Sequence, residues 1–506
     1  MLALLCYDGD AMRLGSTASV FALLVSFGPL SCEEQSGQPE RAQSELAAFP
    51  ACPGPAEAAH IYRLDLMGRA AGWQRLELRS CGGDRREARA ERHLAFKRAG
   101  ARVELFERHQ AMLDAHGALL RLRYERGQSG AGQTQLEAGR VGDQMLVLSG
   151  PETLRMPFEP RAADAEFFFL ALDDVHPGQR HSFRAFCPAT GRYADDRAVV
   201  RAGEAGRVEI EHRSAARPGT VEVVSWTAGA YLPAAARYRQ GRLSIEAVEV
   251  AALPPPPADE DLPDLSELMR VPTRGRVPDK LVRARYRMRH APDYLDAAQL
   301  SGPFQRARAQ AAAGEWEIEV GPRCEPAASK PEPRFLEPTA MAQSGSREIA
   351  MLAAELAPQS TPPALAAGRL RDWVAAEIEP DMGLSFATAL EVLERRKGDC
   401  SEKATLLVAL ARAAGIPARA VGGLVYHRRA FAGHMWAELW IPGEGWALFD
   451  PSLGQTPIAA RIRLGEVPLE LGRPASALAA MTSGIEVEVL QAEAGNGMVL
   501  EKGESR

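Results

Sequence analysis

Alternating apolar and polar residues dominate the first half of the chain and predict β-strands. Tyr62, Leu64 and Leu66 alternate with charged residues, which is the period of a strand with one buried face. Similar stretches, many of them separated by glycine-containing turns, follow at His93–Arg98, Arg102–Phe106, Leu120–Tyr124, Met145–Leu148, Ser182–Phe186, Arg207–Glu211, Thr220–Trp226 and Leu243–Val250. Because these stretches show no fixed repeat, we predict one mostly antiparallel β domain, a large curved sheet or incomplete barrel, with a helical insertion near Asp164–Leu172.

A proline-rich stretch interrupts this pattern. Residues 253–261 hold four consecutive prolines followed by acidic residues, a composition typical of a semi-rigid, solvated spacer. Beyond it, period-two stretches at Leu281–Met288 and Trp316–Val320 predict a small β unit. Helical spacing then predicts helices over Arg347–Ala357 and Gly368–Glu377. The arginines between positions 283 and 289 alternate with apolar residues, so we interpret them as the solvent-facing side of a strand rather than a nucleic-acid surface.

A well-bounded helix is predicted to begin at Cys400. Asp399 and Glu402 have the spacing of a capping box, and Gly415 followed by Pro417 predicts the helix end. A thiol in the first turn of such a helix lies near unpaired N–H groups and the positive end of the peptide dipoles, which favour the thiolate. We therefore expect Cys400 to be a reactive nucleophile. The alternative for a single cysteine is a small, buried apolar side chain.

The segment after this helix supplies a histidine and an aspartate. We predict a strand over Ala418–Val425, a loop through Tyr426–Gly433 and a second strand that begins at His434 and has alternate residues on one face. A turn and a returning strand then end at Asp450. In chain order Cys400, His434 and Asp450 are a nucleophile, a base and a carboxylate that can orient the base.

These motifs resemble the bacterial transglutaminase-like superfamily. The resemblance covers roughly Leu365 to Gly454 and implies a papain-like α+β fold, with Cys400 as the nucleophile, His434 as the base and Asp450 as the orienting carboxylate. Ser452 stands where many members have threonine, and the backbone N–H of Cys400 is the one oxyanion donor that we identify. The matching motifs are Gly398-Asp399-Cys400, Gly415-Ile416-Pro417-Ala418-Arg419, His434-Met435-Trp436-Ala437-Glu438 and Gly445-Trp446 through Asp450-Pro451.

The whole chain is therefore expected to be an α+β protein. It would hold a large N-terminal antiparallel β domain, a small β linker unit and a C-terminal transglutaminase-like (papain-like) α+β domain. The expected limits are a leader at 1–32, a tether at 33–56, the β-rich domain at 57–252, a proline-rich and acidic linker at 253–270, the small β unit at 271–330, the transglutaminase-like domain at 340–491 and a polar tail at 492–506.

The N-terminus has the pattern of an export leader. We take Met12 as the true start, because Arg13 and the apolar stretch Ala18–Phe27 then follow in the order of a signal peptide, and that stretch is too short for a membrane span. Ser31-Cys32 and the polar tether after it resemble the lipobox of bacterial lipoproteins, which implies lipid attachment at Cys32. Ordinary signal cleavage is the alternative. Either one predicts a protein of the cell envelope or periplasm.

Four further cysteines lie outside the leader and the candidate site. In an exported chain Cys52, Cys81, Cys187 and Cys324 could form two disulfides in three pairings. Cys52 with Cys81 is the local pairing that we expect, and four separate buried thiols are the alternative.

Composition and motifs narrow the partners. The 506 residues carry a net charge of −6, with 46% hydrophobic and 25% charged residues, which is ordinary for a folded soluble protein and argues against nucleic acid as a partner. Because the chain has no zinc, calcium or phosphate-binding motif, we expect catalysis without a metal or a cofactor. Membrane contact is expected only through the N-terminal lipid.

The resulting expectation is an exported thiol enzyme. It would cleave or transfer amide or peptide bonds of a protein or peptide substrate through a Cys400 thioester, with water or an amine as the acceptor. One alternative is a catalytically idle scaffold that binds or assembles envelope components. Another is a lipid or lipoprotein carrier formed by the β region.

Overall fold

The computed structural model describes the chain from residue 45 onward, with short gaps. The predicted leader, Cys32 and Cys324 lie outside the described residues. The described residues are 45–46, 49–128, 133–149, 152–172, 175–188, 191–217, 219–227, 229–240, 242–266, 270–278, 280–292, 295–322, 331–382, 387–427, 429–454, 456–469, 481–482, 484–497 and 499–501.

The first half of the chain forms one large sheet of fifteen strands within the described residues. Neighbours in sequence pair with each other, in the order β8-β7-β6-β5-β4-β3-β2-β1-β15-β14-β13-β12-β11-β10-β9, and the pairing of β1 with β15 joins the two halves. The strands are β1 (Ala56–Leu66), β2 (Arg69–Gly82), β3 (Arg85–Arg98), β4 (Ala101–Leu113), β5 (Leu119–Gln128), β6 (Gln133–Val141), β7 (Gln144–Ser149), β8 (Glu152–Pro157), β9 (Ala163–Asp164), β10 (Arg180–Cys187), β11 (Arg192–Ala202), β12 (Val208–Ser214), β13 (Thr220–Trp226), β14 (Ala235–Gln240) and β15 (Leu243–Val250).

The predicted large N-terminal sheet is confirmed, and its pairing is antiparallel except between β9 and β10. The predicted helical insertion is smaller than expected, because it is a single 3-10 turn, Phe168–Ala171, that follows β9. The Cys52–Cys81 disulfide is present and ties the segment before β1 to the end of β2. Cys187 is buried and keeps its thiol.

The interior of this sheet combines an apolar core with buried ion pairs. The Arg92 guanidinium bonds Glu107 at 2.6 Å and Glu166 at 2.5 Å, and His212 lies 2.8 Å from Asp196. Arg92, Glu107 and Glu166 also line a cavity in this interior. Charged groups in pairs can be buried because each one satisfies its partner. The rest of the cavity lining includes apolar residues such as Ala90 and Ala165.

The second half of the chain mixes helices with short sheets. Its helices are α1 (Ala297–Leu300), α2 (Arg347–Leu356), α3 (Pro363–Glu377), α4 (Ala389–Arg395) and α5 (Cys400–Ala413). Its strands are β16 (Arg270–Val271), β17 (Thr273–Arg274), β18 (Leu281–Arg289), β19 (Gln305–Ala309), β20 (Trp316–Val320), β21 (Glu379–Pro380), β22 (Lys397–Gly398), β23 (Ala418–His427), β24 (Ala430–Ile441), β25 (Gly445–Phe449), β26 (Arg461–Val467), β27 (Glu486–Ala494) and β28 (Val499–Glu501). None of the described helices is long and apolar enough to cross a membrane.

Two larger sheets lie in the second half of the chain, and α5 packs on the first of them, against β23 and β24. One has the order β16-β24-β23-β26 with β25 on β24, and the other has the order β17-β27-β18-β20-β19 with β28 on β27. The second sheet joins strands of the predicted small β unit to β27, which comes after the predicted site in sequence. One apolar core extends through both sheets and the helices, from Val271 to Ala492. The domain limits expected from the sequence remain predictions.

The arginine-rich segment is confirmed as a strand, β18, with one buried side and one solvent-facing side. Ala284, Tyr286 and Met288 are buried, whereas the arginines between them pair with glutamates. Arg283 bonds Glu319 at 3.2 Å, and Arg285, Arg287 and Arg289 contact Glu317, Glu315 and Glu488. These arginines are therefore accounted for by cross-strand ion pairs.

The predicted loop through Tyr426–Gly433 is wrong. Strand β23 runs on to His427 and β24 already begins at Ala430, with an unbroken register from Ala418 opposite Leu439 to His427 opposite Ala430. Gly433 lay at the end of the predicted loop, but cross-strand pairing continues through it. The hairpin turn is correspondingly tight, with Arg429 at φ 67°.

Candidate functional site

The candidate nucleophile lies at the first position of α5. Asp399 caps this helix: its carboxylate accepts a hydrogen bond from the Ser401 N–H at 2.7 Å, and the Glu402 carboxyl accepts from the Asp399 N–H at 3.2 Å. The predicted capping box and helix start are thus confirmed. Gly415 ends the helix at φ 76°, as expected. Residues Ser401 to Arg412 are all buried, so the helix is fixed on every side.

The loop that leads into Cys400 is held by a short parallel pairing. Strand β22, Lys397–Gly398, pairs with β21, Glu379–Pro380, and Arg396 ends α4 in the left-handed conformation at φ 56°. A Cβ on Gly398 would lie 2.5 Å from the Glu402 Cβ. The Gly-Asp-Cys motif therefore has a steric reason, because only glycine lets the chain pass this close to the first turn of α5.

The acids beside Cys400 carry different charges. Although burial opposes it, the Arg98 guanidinium and the hydrogen bonds from Glu402 and Ser401 hold the pKa of Asp399 below its usual range. Burial and the neighbouring Asp399 raise the pKa of Glu402 well above its usual range. The pKa values of the two neighbouring carboxyl groups are thus shifted in opposite directions, which favours the ionised form of Asp399 and the protonated form of Glu402. Arg98 belongs to β3 of the large sheet and forms an ion pair with Asp399.

The thiol itself is less acidic than the helix start alone suggests. Burial raises the pKa of Cys400, and Asp399 adds to this effect, whereas Arg98 and a hydrogen bond from the Met435 backbone N–H lower it. Burial and Asp399 therefore oppose the effect that we expect from the helix dipole, and a reactive thiolate at Cys400 stays a prediction. The Met435 contact places the thiol against the strand that carries His434.

His434 and Asp450 come together on adjacent strands. His434 lies on β24, and Asp450 follows β25, which pairs with β24 from Ala437 to Ile441. The His434 Nε2 atom is 2.8 Å from Asp450 Oδ2, and both residues are buried. With Nε2–H donating to the carboxylate, Nδ1 of His434 is left as the ring nitrogen that can accept a proton.

Asp450 is fixed from three directions. Its Oδ1 atom accepts hydrogen bonds from the backbone N–H groups of Ser452 at 2.8 Å and Leu453 at 2.9 Å. Its Oδ2 atom lies 2.7 Å from Arg461 Nη1. Although burial opposes it, the His434 hydrogen bond and charge, together with Arg461, hold the pKa of Asp450 below its usual range. A permanently ionised carboxylate is what an orienting group for histidine requires.

Arg461 is a residue of the site that the sequence did not reveal. It lies on β26, its Nη2 atom donates to the Leu453 carbonyl at 2.6 Å, and its guanidinium stands 5.7 Å from the Trp436 ring centroid. It joins Asp450 to the sheet that carries His434. The one signal in the sequence was an arginine that alternates with apolar residues in Arg461–Val467, a pattern that solvent-facing arginines share.

Other motif residues hold the hairpin together. Arg419 donates two hydrogen bonds to Glu438 Oε2 at 2.9 and 2.6 Å, and Arg463 approaches the other Glu438 oxygen at 3.3 Å. The Arg419 guanidinium stacks over Trp446 at 4.1 Å. Arg419 and Glu438, the last residues of the Gly-Ile-Pro-Ala-Arg and His-Met-Trp-Ala-Glu motifs, thus have a structural role.

Among the described residues, no group of three or more histidine, cysteine, aspartate or glutamate side chains could hold a metal ion. The arrangement has the parts for acyl transfer: a thiol, a histidine with one ring nitrogen available, and an ionised carboxylate. The backbone N–H of Cys400 remains the candidate oxyanion donor.

Comparisons with known proteins agree with the resemblance seen in the sequence. Residues 350–451 match the family model of the transglutaminase-like superfamily. A protein-glutamine gamma-glutamyltransferase of Pseudomonas aeruginosa is 35% identical over 78 residues, which cover 13% of this chain and 11% of that protein. The chain thus matches about a tenth of the length of this relative.

Two solved structures share limited similarity with the chain. A candidate cysteine protease from Cytophaga hutchinsonii is 16% identical, with a TM-score of 0.28, and the match covers 46% of this chain and 88% of that one. A beta-barrel-like protein of a domain of unknown function from Brucella abortus is 9% identical, with a TM-score of 0.31, over 40% of this chain and 97% of that one. The match to the family model spans Cys400, His434 and Asp450, and residues 350–451 are therefore a domain of the transglutaminase-like superfamily.

Proposed function

We propose that the protein is an exported thiol enzyme of the transglutaminase-like type, which cleaves or transfers amide or peptide bonds. The observation that carries this proposal is the 2.8 Å contact between His434 and Asp450 on the strand pair whose Met435 N–H contacts the Cys400 thiol. A protein or peptide is the substrate class, because the chemistry acts on a carboxamide or peptide carbonyl.

The proposed reaction has two halves. Cys400 gives its proton to His434 Nδ1 and attacks the carbonyl carbon, and the backbone N–H of Cys400 stabilises the oxyanion. The C–N bond breaks as His434 passes the proton to the departing amine, which leaves a thioester on Cys400. Water or a second amine then gives a proton to His434 and attacks the thioester, and the C–S bond breaks as the thiol regains its proton. Water is the acceptor that we favour, because it is abundant in an aqueous compartment.

Export is part of the same proposal. The Cys52–Cys81 disulfide supports it, because disulfides persist in oxidising compartments such as the periplasm. Lipid attachment at Cys32 would anchor the protein to the cell envelope. Mass spectrometry of the N-terminal peptide from exported protein tests this, and an unmodified Cys32 in that peptide contradicts the anchor.

A second candidate is a scaffold in which the thiol is idle. The burial that raises the pKa of Cys400 favours this alternative, since an enzyme needs a thiolate. The cavity in the large sheet gives the lipid-carrier alternative no specific support, because its lining mixes the paired Arg92 and Glu107 with apolar residues such as Ala165.

The pH dependence of Cys400 alkylation distinguishes the enzyme from the scaffold. The full chain, His434→Ala and the control His427→Ala are treated with iodoacetamide between pH 5 and about 11, a range that brackets the roughly 8.5 of an ordinary thiol, and labelling of the Cys400 peptide is followed by mass spectrometry. We expect the midpoint to rise in His434→Ala and to stay unchanged in His427→Ala, because His427 is exposed at the end of β23.

Identical profiles for the full chain and His434→Ala contradict the enzyme. A Cys400 that reacts only after unfolding in urea supports the scaffold. If Cys400 and His434 are coupled, incubation with a peptide library and a labelled amine separates hydrolysis from amine transfer by the mass of the products.

A further inference from the structure

The tip of the β3–β4 hairpin reaches the start of α5 from the other half of the molecule. Arg98 is the last residue of β3, and its guanidinium pairs with the Asp399 carboxylate, although 301 positions separate the two residues. The Asp399 side chain is 2% exposed and that of Arg98 is 15% exposed. Because water is largely excluded, this ion pair is screened much less than a surface pair.

The hairpin that carries Arg98 is itself fixed by the linker. Its two-residue turn has positive φ at both Ala99 (50°) and Gly100 (82°), the conformation of a type I′ hairpin turn. The Asp264 carboxylate accepts hydrogen bonds from the backbone N–H of Ala99 at 3.1 Å and of Gly100 at 2.8 Å. This contact holds the turn against the linker.

Backbone contacts continue along the same edge. The Lys97 N–H donates to the Pro263 carbonyl at 2.8 Å, and the Leu265 N–H donates to the Lys97 carbonyl at 2.8 Å. Both backbone groups of Lys97, the residue before Arg98, are thus hydrogen-bonded to residues 263 and 265. A hairpin with these constraints keeps the guanidinium in one place, which suits a permanent part of the site better than a mobile cover.

Three side chains act electrostatically on Cys400. Asp399 and Glu402 belong to α5 itself, and Arg98 comes from the β3–β4 hairpin, whereas β24 supplies the backbone N–H of Met435. Asp399 is ionised and adjacent to the thiol, so on its own it disfavours the thiolate. Of these three side chains, Arg98 is the one that carries a positive charge.

We propose that Arg98 is a positioning residue for the Cys400 thiol: by pairing with Asp399 it offsets the carboxylate next to the nucleophile, and the N-terminal sheet thereby completes the site of the transglutaminase-like domain. This inference rests on the proposed function, because it matters only if Cys400 reacts as a thiolate. The large sheet would then take part in the chemistry through Arg98, although Arg98 and Asp399 are 301 positions apart in the sequence.

Charge removal and charge rescue test the inference. The pH profile of iodoacetamide labelling at Cys400 is measured in the full chain and in Arg98→Gln and Arg98→Lys. We expect the midpoint to rise by about one pH unit in Arg98→Gln, as for loss of a nearby opposite charge. Arg98→Lys keeps a positive charge without the guanidinium fork, and we expect its midpoint to return to within about half a unit of that of the full chain.

Arg102→Gln is the matched control. Arg102 lies opposite Lys97 on the same hairpin, but it pairs with Glu104 and the linker residue Asp259, so its loss leaves the midpoint unchanged. Asp264→Ala keeps both charges of the Arg98–Asp399 pair but detaches the turn that positions Arg98, so we expect a smaller shift in the same direction as Arg98→Gln. This variant keeps the inference testable if Arg98→Gln fails to fold.

The outcomes separate the two proposals. Equal midpoints for the Gln and Lys variants, or faster labelling of Arg98→Gln with no change of midpoint, overturn the role of Arg98, and the second result identifies the hairpin as a cover alone. If His434→Ala leaves the profile of the full chain unchanged, the proposed function fails whatever Arg98 does. If His434→Ala shifts the midpoint and Arg98→Gln does not, only this inference fails.

Discussion

Asp450 holds three groups in place with one carboxylate. It orients His434, closes the turn at Ser452 and Leu453, and pairs with the buried Arg461. A buried ion pair of this kind contributes little net stability, but the loss of one partner leaves an uncompensated charge. The His434 and Arg461 contacts share Oδ2, but the charge left uncompensated belongs to Arg461 alone. Stability and histidine orientation can therefore be separated by mutating Arg461 together with Asp450.

Asp450→Asn is expected to lower the free energy of unfolding by about 3 kcal/mol, because Arg461 is left as a buried, uncompensated cation. The double variant Asp450→Asn/Arg461→Met removes both charges and should regain most of that stability without restoring the His434-dependent labelling of Cys400. Urea unfolding and the pH profile of iodoacetamide labelling measure the two effects. Recovery of both properties in the double variant contradicts the orienting role of Asp450.

At the residue scale, the sequence predicted the three triad residues but not the arginines that contact Asp399 and Asp450. Cys400, His434 and Asp450 lie in short motifs whose order alone suggests the chemistry, and the capping box predicted the helix start to the residue. Arg98 and Arg461 could not be predicted, because each acts through a contact that depends on the folded chain. Arg98 meets Asp399 across 301 positions, and no local pattern encodes such a distance.

The α5 helix illustrates what the sequence determines at the scale of an element. Its capping residues and its terminal glycine gave both ends correctly, since these signals act within one turn. The β23–β24 hairpin was harder, because the predicted loop through Tyr426–Gly433 is paired strand for most of its length. Gly423 is needed for packing: a Cβ there would lie 2.3 Å from the Ile462 carbonyl oxygen and 2.4 Å from the Trp436 ring. A tertiary contact therefore explains a residue that propensity assigns to a loop.

The two glycines next to or within helices should respond to alanine in opposite directions. Neither would meet a neighbour with an added Cβ, so only the backbone differs. Gly415→Ala is expected to destabilise by about 1 kcal/mol, because its φ of 76° lies in the left-handed region. Gly368→Ala, inside α3, is expected to stabilise by about 0.5–1 kcal/mol through helix propensity. Denaturant unfolding of both variants measures the difference, and a shift of equal sign contradicts this explanation.

The molecule as a whole consists of a large sheet region and a mixed region that meet at the Arg98–Asp399 pair. Alternation predicted the sheet well, because strand periodicity is local, and the linker was evident from its prolines. The order of the strands was not predictable, since the pairing of β1 with β15 depends on where the chain returns. The addition of β27 to the sheet of β18 and β20 was missed for the same reason.

The Cys52–Cys81 disulfide should stabilise the large sheet. It closes a loop of 29 residues, for which loss of the cross-link costs about 3 kcal/mol in the chain-entropy account. We expect dithiothreitol to lower the thermal unfolding temperature of the full chain to that of Cys52→Ser/Cys81→Ser. Dithiothreitol should not change the unfolding temperature of the double variant, which serves as the control. An unfolding temperature of the full chain that does not respond to reduction contradicts the prediction.

The position of β27 determines when the second half of the chain can finish folding. Strand β27 lies between β17 and β18, and its Glu488 contacts Arg289 from 199 positions away. Until β27 emerges from the ribosome, β18 presents an unpaired edge, and such edges are prone to pair with other chains. A nascent chain is therefore prone to aggregation while the residues between β18 and β27, which include Cys400, His434 and Asp450, are being synthesised. Chaperones that hold the chain until β27 arrives would act on this interval, whereas the earlier sheet can close on its own strands well before it.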